Sequence, residues 1–164
     1  MRLVISFSQL NIDYQTGGPF AAGVFDQDSG KLFSIGVNRV VPLNCSTAHA
    51  EIVALSMAQK KLETYDLGGP GIQPMQLVVN WRPCVMCYGA ILWSGIRSLV
   101  VAGCGPELED ITGFDEGPMH PDWVEELEKR GIEFIDNILN VEAYSVFKNF
   151  RDQNLFVYNS RQGV

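Results

Sequence analysis

Residues 75 to 102 read MQLVVNWRPCVMCYGAILWSGIRSLVVA, and the fold follows from how this stretch divides. Met75 to Asn80 is an apolar run of strand length, bounded on its far side by Pro83. Proline suits the start of a helix, where its missing N–H would have had no partner anyway. A helix is therefore expected through about Ser94, stopped by Gly95 and followed by a second strand at Ser98 to Ala102. Strand, helix and strand at this spacing predict a βαβ unit with parallel strands and an α/β fold. Cys84 and Cys87 then fall in the first turn, where unpaired backbone N–H groups and the helix dipole favour thiolate over thiol.

A second stretch, Ala48-His49-Ala50-Glu51, opens another helix. Ser46 or Thr47 can cap it, and it runs to about Leu62 with Ile52, Leu55, Ala58 and Leu62 inward and Gln59, Lys60 and Lys61 in water. His49 and Glu51 lie in its first turn. Residues i and i+2 share no face in mid-helix, which places both at the helix end. One imidazole and two thiolates, His49, Cys84 and Cys87, form a ligand set that leaves the fourth tetrahedral position of a zinc ion open to water, the pattern of a catalytic site. One zinc per chain is expected, between two helix starts. Glu51 is then placed to carry a proton and not to bind metal. Taken singly the pieces are bland. His-Ala-Glu can sit on any helix surface, and a lone C-x-x-C can be half a zinc knuckle or a redox pair, but no second C-x-x-C accompanies it.

Outward from these stretches, Leu3, Phe7, Leu10 and Tyr14 recur at helical spacing and predict a short amphipathic helix over the first sixteen residues, ending at Gly17-Gly18. Phe20 to Phe25 and Lys31 to Val37 predict a β-hairpin closed by Asp26-Gln27-Asp28-Ser29-Gly30. Asn38 stands at its exit; its amide matches the donor and acceptor pattern of a base edge, though Asn after a strand is also an ordinary turn residue. Thr64 to Pro74 is a loop, as is Gly113 to Gly117. Residues 122 to 130 read as helix, Ile132 to Ile135 as strand, Val141 to Asn154 as helix, and His120 as an exposed loop residue.

The chain has 164 residues, 46% hydrophobic and 19% charged, with no low-complexity tract, and reads as one globular domain over 1–164. The N-terminal apolar run is short and broken by Ser6, Ser8 and Gln9, so a signal peptide or membrane span is not expected and a cytoplasmic address is. Reduced cysteines follow, with Cys84 and Cys87 as ligands and Cys45 and Cys104 as buried or half-buried small residues. Residues 1 to 104 carry 6 acidic and 7 basic side chains and residues 105 to 164 carry 13 and 5, which gives the net charge of −7. Phosphate backbones demand clustered Lys and Arg, so nucleic acid is disfavoured and a small neutral substrate favoured.

Together, His49-Ala50-Glu51 and Pro83-Cys84-Val85-Met86-Cys87 spell the H-x-E…P-C-x-x-C signature of zinc-dependent base deaminases. The chain resembles the cytidine deaminase superfamily and within it is most similar to bacterial guanine deaminases. The resemblance extends over Gly17 to Ala22, Asn38 to Val41, Ala48 to Ile52, Pro83 to Gly95 and Gly113-Phe114-Asp115-Glu116-Gly117-Pro118. It implies a three-layer α-β-α sandwich with a central mixed sheet of about five strands, usually as a homodimer. It also implies that Asn38 and the Ala50 backbone hold the base edge, that Phe20 and Trp93 line the pocket, that Asp115 or Glu116 relays protons, and that Tyr158 closes the site from its own chain or the partner's. Plain core packing is the alternative for Phe20 and Trp93, and a solvated loop for the two acids. The chain departs from the family at Val79-Asn80-Trp81-Arg82, where Thr-Ser-x-Glu is usual. Arg82 can pair with a nearby acid and Trp81 can reshape the pocket. The expected activity is hydrolytic deamination of a free nucleobase, guanine to xanthine and ammonia. The alternatives are another amino-heterocycle (cytosine, adenine, a nucleoside or an aminotriazine) or an inactive zinc-stabilised binding module.

Overall fold

The computed structural model describes residues 1–160. Helix α1 spans Arg2–Asp13, strands β1 and β2 Ala21–Asp26 and Leu32–Val37, and α2 is a single turn, Val40–Leu43. Then come α3 (Ala50–Leu62), β3 (Met75–Val79), α4 (Val85–Ser94), β4 (Ser98–Val101), α5 (Glu107–Thr112), α6 (Trp123–Glu128), β5 (Glu133–Ile135) and α7 (Asn140–Asp152). The expected βαβ unit is β3-α4-β4, with Gln76 to Val79 paired in parallel to Ser98 to Val101. The sheet order is β2-β1-β3-β4-β5. β1 is antiparallel to both neighbours and β4 and β5 are parallel, so the sheet is mixed.

Alternation along the strands divides the core between the two faces of the sheet. Ala22, Val24, Leu77, Val79, Leu99 and Val101 pack with Ala50, Ala54, Ala58 and Ile91 of α3 and α4 on one side. Ala21, Val78 and Val100 meet Val4 of α1 on the other, where Phe147 and Ala143 of α7 close over Trp81 and Leu108. Three layers result. Among the described residues no helix is long and apolar enough to cross a membrane.

α1 is rotated from its expected setting. Its buried residues are Val4, Ser8, Asn11 and Ile12, whereas Leu3, Leu10 and Tyr14 are exposed. Asn11 explains the rotation: its Nδ2 donates to the carbonyls of Gly18 at 2.7 Å and Asn38 at 3.0 Å, and its Oδ1 accepts from Thr16 Oγ1. A buried amide with three partners outweighs an extra methylene or two out of water. The chain also passes so close here that a Cβ on Gly17 would lie 1.8 Å from the Asn38 carbonyl oxygen. Asn11→Ala is expected to lower unfolding free energy by about 1–3 kcal/mol, because it strands buried carbonyls. Urea denaturation checks this, and an unchanged midpoint would mean that water replaces the amide.

Two smaller corrections follow from local chemistry. α3 is capped by His49 and not by Ser46 or Thr47, so its inward residues begin at Ala50 and Glu51. Cys45, expected to be buried or half-buried, is exposed, its Sγ 3.3 Å from Thr47 Oγ1 in the turn before His49. α5 is a short helix for which the sequence offers no apolar periodicity beyond Leu108 and Ile111.

Candidate active site

The strand directions bring the start of β1 and the ends of β2, β3 and β4 to one edge of the sheet, with Ala21 beside Val37, Ala22 beside Val79 and Val79 beside Val101. Gly18 to Phe20, Asn38 and the Asn80 to Cys84 loop therefore converge. Fully buried Asn80 ties them: its Oδ1 accepts from Ala21 N at 2.9 Å and its Nδ2 donates to Pro19 O at 2.9 Å. The crevice lies at the carboxyl end of the parallel strands, where open α/β sheets bind ligands.

His49 is the N-cap of α3 and Cys84 the N-cap of α4, both in extended backbone conformation. Cys84 Sγ lies 3.4 Å from His49 Nδ1, and the ligand atoms of His49, Cys84 and Cys87 are all within 4.8 Å of one another. A tetrahedral zinc with bonds of about 2.3 Å to sulfur and 2.0–2.1 Å to nitrogen sets sulfur and nitrogen about 3.6 Å apart, so these residues fit the ion. The hydrogen bond from Cys87, and then that with His49, holds the Cys84 thiol down at about 4 although burial opposes it. The same Cys84 contact and burial push the Cys87 thiol up. For His49, burial is the largest influence and lowers its pKa, but the Cys84 hydrogen bond and the charges of Cys84, Glu51 and Glu116 together outweigh it and raise the imidazole.

Glu51 follows His49 into the first turn of α3 and is buried. Burial, followed by the charge of Cys84, raises its carboxyl to about 7. Glu116 stands higher still, at about 8, raised first by burial and then by the charges of Cys84, Glu51 and Glu109. Its backbone oxygen accepts from Val85 N at 3.0 Å, which seats it over the start of α4. Two carboxyls titrating near neutrality beside a ligand set are groups that can exchange protons at working pH.

A cavity of about 330 Å³ collects Phe20, Asn38, His49, Ala50, Glu51, Asp115, Glu116 and Tyr158 of the expected residues. Asn38 Oδ1 accepts from Gly18 N and Val40 N, while its amide nitrogen has no partner among the described residues. Phe20 is both wall and core, edge-on to Phe114 at 5.1 Å and tilted against Phe147 at 5.7 Å. Asp115 differs from Glu116: it is exposed, and its Oδ1 accepts from Gly117 N at 2.9 Å within the loop. Tyr158 reaches the cavity of its own chain.

Trp93 does not line this cavity. It is 87% exposed on the outer side of α4, by a shallow depression with Ile52, Ser56 and Ala90. The inward face of α4 is taken by Cys87, Ile91 and Ser94, and Trp93 lies about 12 Å along the helix from its start at 1.5 Å per residue. Trp81 does not reshape the pocket either; it is buried among Leu108, Ala143 and Phe147 with its Nε1 donating to Gly105 O. Arg82 does pair with an acid, Glu109 of α5, and lines the cavity. Sequence reasoning passed over Phe114, Met86, Phe156 and Asn159, which also line it. Phe114 lies within Gly113 to Pro118 and Met86 within Pro83 to Cys87, so these two had a visible signal.

A family model described as the cytidine and deoxycytidylate deaminase zinc-binding region matches residues 1–103. The chain is 30% identical over 139 residues to the guanine deaminase of Bacillus subtilis, covering 84% of each. It is 32% identical over 120 residues to a tRNA-specific adenosine deaminase of Buchnera aphidicola, covering 73% of this chain and 72% of that one. Among solved structures it is similar to guanine deaminase from Nitrosomonas europaea, with 46% identity, a TM-score of 0.88 and coverage of 92% of this chain and 81% of that one.

Proposed function

The chain belongs to the cytidine and deoxycytidylate deaminase zinc-binding family and is a zinc-dependent aminohydrolase, and from that premise we propose that it deaminates guanine to xanthine and ammonia. The observation that carries the choice of substrate is the 46% identity to a guanine deaminase across 92% of this chain. The cavity supports it. At about 330 Å³ it is at the small end for ligand pockets and suits a free base.

Zinc held by His49, Cys84 and Cys87 supplies a Lewis acid that brings the pKa of water towards neutrality. Glu51 takes a proton from the attacking water, delivers it to the ring nitrogen beside the amino-bearing carbon, and passes a proton on to the departing amine. Asn38 offers its unpartnered amide N–H to the base edge, with the Ala50 backbone beside it and Phe20 against the ring face. Of the two acids, Glu116 is our choice for the second relay: its carboxyl, titrating near 8, can give its proton to the leaving amine and recover one, through Glu51, from the hydroxyl that becomes the carbonyl. Asp115 is occupied in shaping the loop. We carry a homodimer as part of this reading, supported by the exposed Trp93 indole beside a shallow depression, and a cytoplasmic address, supported by thiolates kept for metal.

The likeness to a tRNA-specific adenosine deaminase keeps a second reading in view. A net charge of −7 opposes it, since a tRNA backbone must be met by clustered cations. A spectrophotometric screen with ammonia detection tests the choice: guanine is expected to turn over well above cytosine, adenine, cytidine and adenosine. Preference for another amino-heterocycle would overturn the substrate. Inertness of fully zinc-loaded protein towards all of them would favour a binding module.

A further inference from the structure

The loop that carries Asp115 and Glu116 is pinned from the end of the chain by one side chain. Asn159 Oδ1 accepts from Asp115 N at 2.8 Å, and Asn159 Nδ2 donates to Gly113 O at 2.7 Å. Both faces of one amide are thus spent on the backbone two residues apart, as a third strand would spend them. Elsewhere the loop is held from the metal side, where Val85 N–H reaches Glu116 O and Gly117 packs so closely on Val85 that a Cβ there would lie 2.6 Å from its Cγ1, and by the Phe114 ring, which packs on Phe20 and Phe150. Gly113 and Gly117, at φ +78° and +75°, mark the two ends of the segment. Between these glycines Asp115 is exposed, and its own Oδ1 bonds only within the loop. Among the described residues, Asn159 is the one distant residue whose side chain hydrogen-bonds to residues 113–116.

We propose that Asn159 is a positioning residue, the latch by which the C-terminal segment fixes the acid loop, so that segment and loop close one wall of the cavity as a unit. The inference rests on the reading of Glu116 as a proton relay, and goes beyond it by naming what holds that relay in place. Asn159 and Tyr158 line the same cavity as Asp115 and Glu116, so docking of the segment sets both its wall and its acid. The Glu116 side chain is half-buried in the cavity wall beside the ligand set. A loop released on its solvent side loses that burial and the fixed distance to the leaving amine together, and misplacement of about 1 Å can lower turnover up to about a hundredfold.

Two measurements on the zinc-loaded protein test the latch, and they separate it from the relay reading. In Asn159→Ala the amide hydrogen of Asp115 is expected to lose its exchange protection while amides of β3 and β4 keep theirs; this reads the latch without reference to activity. With the best substrate of the screen, the same variant is expected to lose about tenfold or more in kcat with KM within about threefold and zinc content unchanged. Asn159→Asp keeps the acceptor for Asp115 N–H and loses the donor to Gly113, and is expected to fall between Ala and wild type on both measures. Unchanged protection at Asp115 in the Ala variant would overturn the latch. So would a rise in KM alone, which would make Asn159 a substrate contact. Lost protection with unchanged kcat would uphold the contact but overturn its positioning role, and if Glu116→Gln were equally silent the fault would lie with the relay reading.

Discussion

Glu51→Gln is expected to keep the zinc and the fold while losing about 10²–10⁴-fold in kcat, the range typical of general acid–base catalysis. The side chain is buried at the first turn of α3, next to the His49 cap but outside the ligand set. Gln has the same shape and cannot carry a proton, so the substitution isolates the chemistry from the packing. Stability supplies an independent arm. Burial raises the folded carboxyl to about 7, above the ordinary 4.5, so in metal-free protein the folded state binds this proton more tightly than the unfolded one. Stability from that difference is full below about 4.5 and declines as pH rises towards 7. The metal-free Gln variant is expected to lack this part of the decline. Zinc analysis with steady-state kinetics checks the first expectation and thermal melts from acid to neutral pH the second. Near-normal turnover, or zinc lost with the carboxyl, would refute the role.

The sequence made some of this legible because the signals were local. Apolar runs of strand length, Pro83 before one helix and Gly95 after it specify β3-α4-β4 within one short stretch, and the hairpin is specified by its turn. His49, Cys84 and Cys87 were readable as a set because both helix starts that present them are themselves written in the sequence. What failed depended on orientation or on distant partners. Trp93 and Trp81 are both indoles next to the metal stretch, and periodicity cannot say that one faces solvent and the other the α7 side of the sheet. The rotation of α1 is set by the partners of Asn11, one of them 27 residues away. Asn159 bonds to residues 44 and 46 positions earlier, and a single Asn near a chain end carries no spacing that could announce it.

Replacing both thiols, in Cys84→Ala/Cys87→Ala, is expected to abolish zinc binding and with it all measurable deamination, while leaving the fold standing. The first half follows from the ligand count. His49 would remain alone, since no other group of three metal-ligating side chains is brought together among the described residues. The second half follows from where the core lies: the apolar clusters on the two sheet faces are complete without the metal, and Cys84 stands at a helix cap and not in their interior. Ala keeps good helix propensity at position 87, and losing a buried sulfur there costs about as much as a buried methylene, roughly 1 kcal/mol. Far-UV circular dichroism should therefore match wild type. Cys45→Ser and Cys104→Ser are the paired controls and should retain full zinc, because Cys45 is exposed in a turn, Cys104 donates to Asp136, and neither joins the ligand set. Stoichiometric zinc in the double variant would sink the ligand set, as would its loss in either control. Unfolding of the double variant, reversed by neither zinc nor lower temperature, would show instead that the thiols hold the two helix starts together in their own right.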